Sequence, residues 1–266
     1  MTAGLMKIAT WNVNSLRARM PVVLRWLEET NPDIVLLQET KVQDDAFPFG
    51  ELEHLPYNIE IVGQKTYNGV AILSKFPLES VERGLLFEAG DPLQEEARYI
   101  QALTGGVLVA SVYVPNGQEV GHERYVAKER FMKALTQQMV QGLAQELPLV
   151  LGGDFNITPG DTDVYDPKAW HEKILCSTAE RQWLRELVYQ GFVDPLQTHL
   201  DPAPEKNPYT WWDYRTRGWE RGNGLRIDHM LLSPKACDLM QGSGVDQHVR
   251  GWEKPSDHAP VWVTLG

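Results

Sequence analysis

Short apolar runs rich in valine, isoleucine and leucine recur along the chain, each bounded by polar, glycine or proline residues. They fall at Lys7–Val13, Ile34–Gln38, Ile59–Val62, Gly69–Ser74, Ile100–Leu103, Val107–Val114, Leu149–Gly152, Arg226–Leu232 and Val261–Leu265. Their length and composition predict β-strands. Helical spacing appears in three places. One helix is expected from a Ser15 cap to about Glu29, with Pro21 limiting its start. The longest runs from about Glu123 to Leu147, where Phe131, Leu135, Met139 and Leu143 form an i, i+4 stripe that reads as a core-facing surface. The third spans Ala179 to Tyr189. Strands outnumber helices, and several follow one another with no helix between them. A doubly wound parallel sheet would alternate more regularly, so the pattern favours two packed mixed sheets with helices outside.

Several strand-like runs end in a polar cluster: Asn12 and Asn14 after the first, Glu39 after the second, Asp154-Phe155-Asn156 after Leu149–Gly152. Side chains there emerge from a sheet edge. Asn12 and Asn14 fit turn and cap roles, and Asn12 equally fits a neutral oxygen ligand or water-orienting amide beside a metal. Alternation along an extended chain puts Asp154 and Asn156 on one side and Phe155 in the core. A carboxylate and an amide so paired can activate and orient one water, although an Asx-turn explains them too. Gly152-Gly153 allows another backbone or a ligand to approach closely. Asp228 lies in an apolar run and needs a partner. His258, next to Asp257, is a natural one, because a carboxylate fixes the imidazole tautomer and raises its pKa. Tyr113 stands where a phenol can meet a phosphate oxygen, or where an ordinary half-buried strand tyrosine would sit.

The whole-chain numbers change this picture only modestly. The 266 residues are 42% hydrophobic, ample for a core, and are expected to form a single domain over 1–266 with 1–5 as a poorly ordered extension. No apolar run approaches the ~20 residues of a membrane span. The stretch Ile8–Val13 is broken by Asn12 and followed by Arg17 and Arg19, unlike a signal peptide. Cys176 and Cys237 offer no zinc set and read as reduced thiols of a cytoplasmic protein. The net charge of −11 weakens a nucleic-acid reading. Between Lys206 and Arg226, however, five basic residues meet only Asp213 and Glu220, interleaved with Tyr209, Trp211, Trp212, Tyr214 and Trp219. Trp211-Trp212 fit a core, yet their place beside Arg215 and Arg217 favours a face that packs on bases or sugars. No phosphate-binding glycine loop, dinucleotide fingerprint or HExxH occurs, and no GxSxG elbow supports a Ser256–His258 hydrolase. The remaining inventory, oxygen-rich side chains with a histidine, suits Mg²⁺-assisted attack on a phosphate ester.

In order along the chain, TWNVNSLRAR, LLQETKVQDDAFP, GQKTYNGVAILSK, YVPNG, LGGDFNITP, TWWDYR, GLRIDHMLLS and EKPSDHAPV resemble the exonuclease III family of DNA-repair nucleases, within the endonuclease/exonuclease/phosphatase superfamily. The resemblance spans nearly the whole chain. It implies a four-layered α/β sandwich with one divalent-metal site at a rim. Mg²⁺ or Mn²⁺ would be held by Glu39, with Asn12 nearby and Asp257 contributing through water or a second site. Asp154 would transfer a proton, Asn156 orient the attacking water or phosphate, and His258, oriented by Asp228, stabilise the pentacovalent phosphate. Tyr113 would steady the phosphate or leaving oxygen, and Trp211 would pack on DNA, with Trp212 at a position that is usually aromatic. Two departures stand out. Thr158 to Lys173 looks like the members that favour 3′-end processing, and His171 there is a candidate obstruction to an internal abasic site. Asn116-Gly117 replaces a common glutamine-glycine pair at the contacts that enter the duplex.

The expected protein is therefore a monomeric, metal-dependent DNA phosphodiesterase. Its substrates would be duplex DNA with damaged or recessed 3′ ends, and abasic sites are a further candidate. Two rivals carry different expectations: a phosphatase for a small phosphoester or lipid headgroup, and a catalytically silent DNA-binding module.

Overall fold

β2 (Ile34–Gln38) is buried at every residue, which marks it as a central strand covered on both faces. It pairs in parallel with β1 (Met6–Asn12) and antiparallel with β4 (Val70–Ser74). In the computed structural model, which describes residues 4–198 and 208–266, these strands join β3 (Asn58–Val62), β10 (Met240–Val245) and β11 (Val261–Leu265) in a six-stranded mixed sheet ordered β10-β11-β1-β2-β4-β3. A second sheet, ordered β5-β6-β7-β8-β9, holds β5 (Glu79–Arg83), β6 (Tyr99–Thr104), β7 (Val107–Tyr113), β8 (Leu149–Asp154) and β9 (Asp228–Leu232). Its only parallel pair is β7 with β8.

Inner faces of the two sheets meet in one apolar core, where Ile8, Leu36 and Ile72 face Val109, Val150 and Met230. The first sheet's outer face is covered by α1 (Leu16–Thr30) through Met20, Val23 and Trp26. The second is covered by α2 (Glu123–Leu143) and α3 (Thr178–Val188), through Phe131, Leu135, Trp183 and Leu187. Helix, sheet, sheet, helix: the four-layered α/β sandwich stands as expected.

A polar bridge crosses the inter-sheet core beneath the rim. Gln38 donates to Ser111 Oγ (2.9 Å), and Ser111 donates back to the Leu37 carbonyl (3.0 Å). This pins β2 to β7 just below Glu39 and Tyr113.

Some details correct the sequence reading. Ser15 makes no side-chain cap, and Pro21 lies inside α1 rather than near its start. The opening turn is held instead by the Ser15 and Leu16 amides, which donate to the carbonyls of Glu39 and Thr40. Pro21 is exposed and removes a single intrahelical bond. α2 stops at Leu143, short of Leu147. Strands β5 and β10 were not anticipated. Both lie at sheet edges and have little buried surface, so no apolar run announces them. Lys206, the first basic residue of the aromatic stretch, lies outside the described residues, as do residues 1–3 of the expected extension.

Candidate active site

Register builds the site. Tyr113, Asp154 and Asp228 are directly paired neighbours across β7, β8 and β9, so three polar side chains reach one rim at the same level. On the facing sheet, Asn12 ends β1 opposite Gln38, and Glu39 follows at once. Close approach of β8 to β7 requires Gly153, because a Cβ there would sit 1.9 Å from the Val112 carbonyl oxygen.

The backbone at this rim is unusual. Asn14, Ser15, Glu39, Lys41, Asn68 and Asn156 all have positive φ, between 44° and 83°. Such conformations persist where the surroundings over-determine them, and they gather at functional sites. Here the Thr40 and Lys41 amides donate to the carbonyls of Gly69 and Asn68. A side chain on Gly69 would lie 2.1 Å from Thr40 Oγ1, so this turn admits only glycine.

Asn12 joins the two sheets at the site. Its amide nitrogen donates to Glu39 Oε1 (2.8 Å) and Asp154 Oδ2 (2.9 Å), while its oxygen accepts from the Asn14 amide (3.0 Å). Asn12 thus meets both carboxylates as a donor. Asp154 Oδ1 accepts from the Asn156 amide (2.8 Å), and the Asn156 side chain donates to Asp154 Oδ2 (3.2 Å) and to the Val114 carbonyl (3.1 Å). The Asp154–Asn156 pairing is therefore real, but a left-handed turn rather than strand alternation makes it. Phe155 is in the core, as expected.

His258 Nδ1 lies 2.9 Å from Asp228 Oδ2, and its Nε2 is 3.8 Å from Asp154 Oδ2. Burial opposes the charged imidazole, but Asp228 and Asp154 outweigh it and push the pKa up to about 10. Asp154 is pushed up to about 7 by burial, with Asp228 and Glu39 adding to the effect and His258 opposing it. Glu39 moves the other way: burial is overcome by Lys41, Asn12 and His258, which hold it below the ordinary carboxylate range. The Tyr113 phenol is raised by burial and by Glu39 and Asp154, so it stays a neutral donor. The arrangement thus offers an acid/base group near neutral pH, an imidazolium and a phenol around one spot.

Among the described residues, Glu39, Asp154 and His258 form a group whose potential ligand atoms all lie within 4.8 Å of one another. Asp257 sits to one side, its oxygens taken by Asn14 Nδ2 (2.9 Å) and Trp211 Nε1 (3.0 Å). Lys41, which sequence reasoning did not single out, contacts Glu39 Oε2 (2.7 Å) and Asn14 Oδ1 (2.6 Å). Its one signal is its place two residues after Glu39.

The flanks are mixed. Trp211 is half-buried and bridges to His258, so it borders the site. Trp212 is corrected: it is 3% exposed and packs with Tyr209, Ala259 and Trp219, out of reach of a stacked base. Arg215 is 89% exposed in its side chain, free to meet a polyanion beyond its contact with Asp213. Arg226, counted in the basic stretch, is buried between Asp163 and Asp194 and adds nothing to a binding face. Asn116 is exposed at the rim and donates to Asn156 Oδ1 (3.0 Å). A cavity of about 400 Å³ opens beside Tyr113 and Asn116, with Tyr67, Arg98 and Arg124 on its walls. His171 is exposed at the end of a one-turn helix, Pro167–Trp170. It is Trp170 that packs into the apolar cluster shared with Trp211.

The chain as a whole has counterparts among known proteins. Residues 9–258 match the model of the endonuclease/exonuclease/phosphatase family. The chain belongs to this family. It is 35% identical to the exodeoxyribonuclease III of Haemophilus influenzae, over 97% of this chain and 99% of that one. A solved 3′-5′ exonuclease from Neisseria meningitidis is 44% identical and superposes with a TM-score of 0.92, covering 98% of this chain and 99% of its own. A Neisseria structure described as a 3′ phosphatase bound to a product DNA hairpin matches equally well. An AP endonuclease from Archaeoglobus fulgidus is 35% identical at a TM-score of 0.90, over 98% of this chain and 99% of its own. No helix among the described residues is long and apolar enough to cross a membrane.

Proposed function

We propose that this protein is a divalent-metal-dependent nuclease of DNA repair that hydrolyses phosphate esters at 3′ ends of duplex DNA, as a 3′→5′ exonuclease and 3′-phosphatase or 3′-phosphodiesterase. Abasic-site cleavage is the activity to be weighed against these. The observation that carries the reading is the convergence of Asp154-Asn156, the His258–Asp228 pair and Glu39 on one rim beside Trp211. The 3′-end activities draw further support from the 44% identical Neisseria proteins, whose descriptions name a 3′-5′ exonuclease and a 3′ phosphatase.

The donor set fits a hard cation. Glu39 and Asp154 are crowded, little-exposed carboxylates beside Lys41 and His258, and oxygen donors of this kind suit Mg²⁺, with Mn²⁺ able to substitute. Glu39 is the principal ligand in this reading, with Asn12 adjoining and Asp257 acting through water. When bound, the cation polarises the scissile phosphate and neutralises charge gathering on it. The chain's own residues do the rest. Asp154 takes the proton of the attacking water, and Asn156 orients that water towards phosphorus. Imidazolium His258, held by Asp228, stabilises the developing charge, and Tyr113 donates to a phosphate oxygen or to the ester oxygen as it departs. Trp211, Arg215 and Asn116 contact the DNA. His171, exposed next to Trp170, sets the preference for ends over internal sites. The protein acts in the cytoplasm as a monomer.

Cleavage of two labelled duplexes, with Mg²⁺ and with EDTA, tests the reading. One carries an internal abasic site and the other a recessed 3′ end bearing a phosphate. Trimming of the 3′ end alone supports 3′ processing, and His171→Gly should then open the abasic substrate. Comparable cutting of the abasic duplex makes the protein a general abasic endonuclease and removes the role of His171. No metal-dependent cleavage of either duplex would sink the DNA-repair reading.

A further inference from the structure

Lys128 lies on α2, outside every residue discussed so far as part of the chemistry, and it is fully buried. Its ammonium has three N–H groups and meets three acceptors. These are the Asn156 carbonyl (2.7 Å), the Asn116 carbonyl (3.1 Å) and Glu180 Oε1 (2.5 Å). Two of the three belong to rim residues, and those two are themselves linked, Asn116 Nδ2 to Asn156 Oδ1.

Burying a lysine among carbonyls is expensive unless each proton is used. Its cost here is offset by Glu180, which is itself held by the Leu175 and Ser177 amides and by Ser177 Oγ. The Asn156 backbone is left-handed, at φ 51°, and its carbonyl, amide and side chain are all engaged. A conformation of that kind persists only where several contacts over-determine it. The ammonium donates to its carbonyl from outside the rim. Gly117 marks the same close packing, since a Cβ there would lie 3.3 Å from Lys128 Cδ.

We propose that Lys128, anchored by Glu180, is a positioning residue: it fixes the Asn156 turn and the Asn116 loop from behind, setting the direction in which the Asn156 amide meets the reacting water or phosphate. The inference rests on the role given to Asn156 above. Lys128 touches neither substrate nor metal, so its removal should reduce turnover rather than binding.

Kinetics on the recessed 3′-phosphate duplex test it, with K128M, N156A, the double variant K128M/N156A, and L135A as a stability control. Methionine keeps the aliphatic stem, and Glu180 retains its three other donors, so K128M should fold. Loss of two charge-assisted hydrogen bonds to the rim should lower kcat by about tenfold or more. KM should change by less than about threefold, and in the N156A background K128M should cost less than about threefold further. L135A removes a buried leucine from the same helix without touching either carbonyl, so it should lower thermal stability and spare kcat. If K128M and N156A multiply, or if kcat simply follows melting temperature across K128M and L135A, the positioning role is wrong. If N156A itself costs nothing, the assignment of Asn156 has failed instead. Should K128M not fold, K128Q replaces it in the same cycle, because its amide can still serve one carbonyl. K128Q should then fall between wild type and N156A, and wild-type kcat would overturn the proposal.

Discussion

At the scale of single residues, the site works by setting neighbouring titratable groups against one another. Asp228 and Asp154 hold His258 protonated well above neutrality, while burial keeps Asp154 near it. In the metal-free protein the His258 ring should titrate near 10 by NMR. Asp228→Asn takes away the larger stabilising charge, so the titration should fall towards the ordinary value of about 6.5. A ring that titrates near 6.5 in the wild type would remove the imidazolium from the mechanism. Glu39→Ala should abolish turnover and weaken Mg²⁺ binding measured by calorimetry, since no other described carboxylate takes its place between Asn12 and Lys41. A catalytically silent DNA-binding module would lose little.

At the scale of elements, the segment from Tyr209 to Trp219 separates two adjacent tryptophans by function. Trp212 is core and Trp211 borders the site. Trp212→Ala should destabilise the protein by about 3 kcal/mol or more, read from denaturant melts. Trp211→Ala should cost far less stability and weaken duplex binding by about tenfold. Equal melting curves for the two variants would contradict this division. Their sequence context is nearly identical, so no local pattern distinguishes them. The turn of backbone that follows Asp257 and Leu225 decides which ring faces inward, through Trp212 N to the Asp257 carbonyl and Trp211 N to the Leu225 carbonyl. The edge strands β5 and β10 were hidden for a related reason: a strand that buries little surface carries little apolar signal.

At the scale of the whole molecule, a buried polar knot ties the loops behind the site to β9. Arg226 meets Asp163 and Asp194 at 2.6 Å each, and His229 joins through Asp194 and the Ile157 carbonyl. Burial opposes ionisation of Asp194, but Arg226 and His229 overcome it and hold its pKa well below the ordinary carboxylate range. A depressed folded-state pKa contributes stability that is complete above the unfolded value of about 3.9 and is lost as pH falls below it. Asp194→Asn should therefore cost stability at neutral pH, and its deficit should shrink as pH falls below about 4. A deficit independent of pH would show that shape, not charge, is what Asp194 supplies. The acidic body sets a second condition. With a net charge of −11, binding to duplex DNA depends on local contacts, and affinity should fall steeply as salt is raised from low to moderate concentration.

The sequence by itself determined the inventory and the architecture. Apolar periodicity marks nine of the eleven strands among the described residues and three longer helices, because burial leaves a repeating signature in each segment. The ordered motifs name the residues that gather at the rim. What only the tertiary structure decided is how those residues meet. Asn12 and Asp154 lie 142 positions apart, and their contact depends on two sheets packing in one register. Whether Asn12 offers nitrogen or oxygen, whether Trp212 faces solvent, and whether Arg226 is a binding cation or a buried clasp all turn on side-chain direction. So does the reach of Lys128 to Asn156. Local composition does not encode direction across a long separation in sequence; packing of the complete chain does.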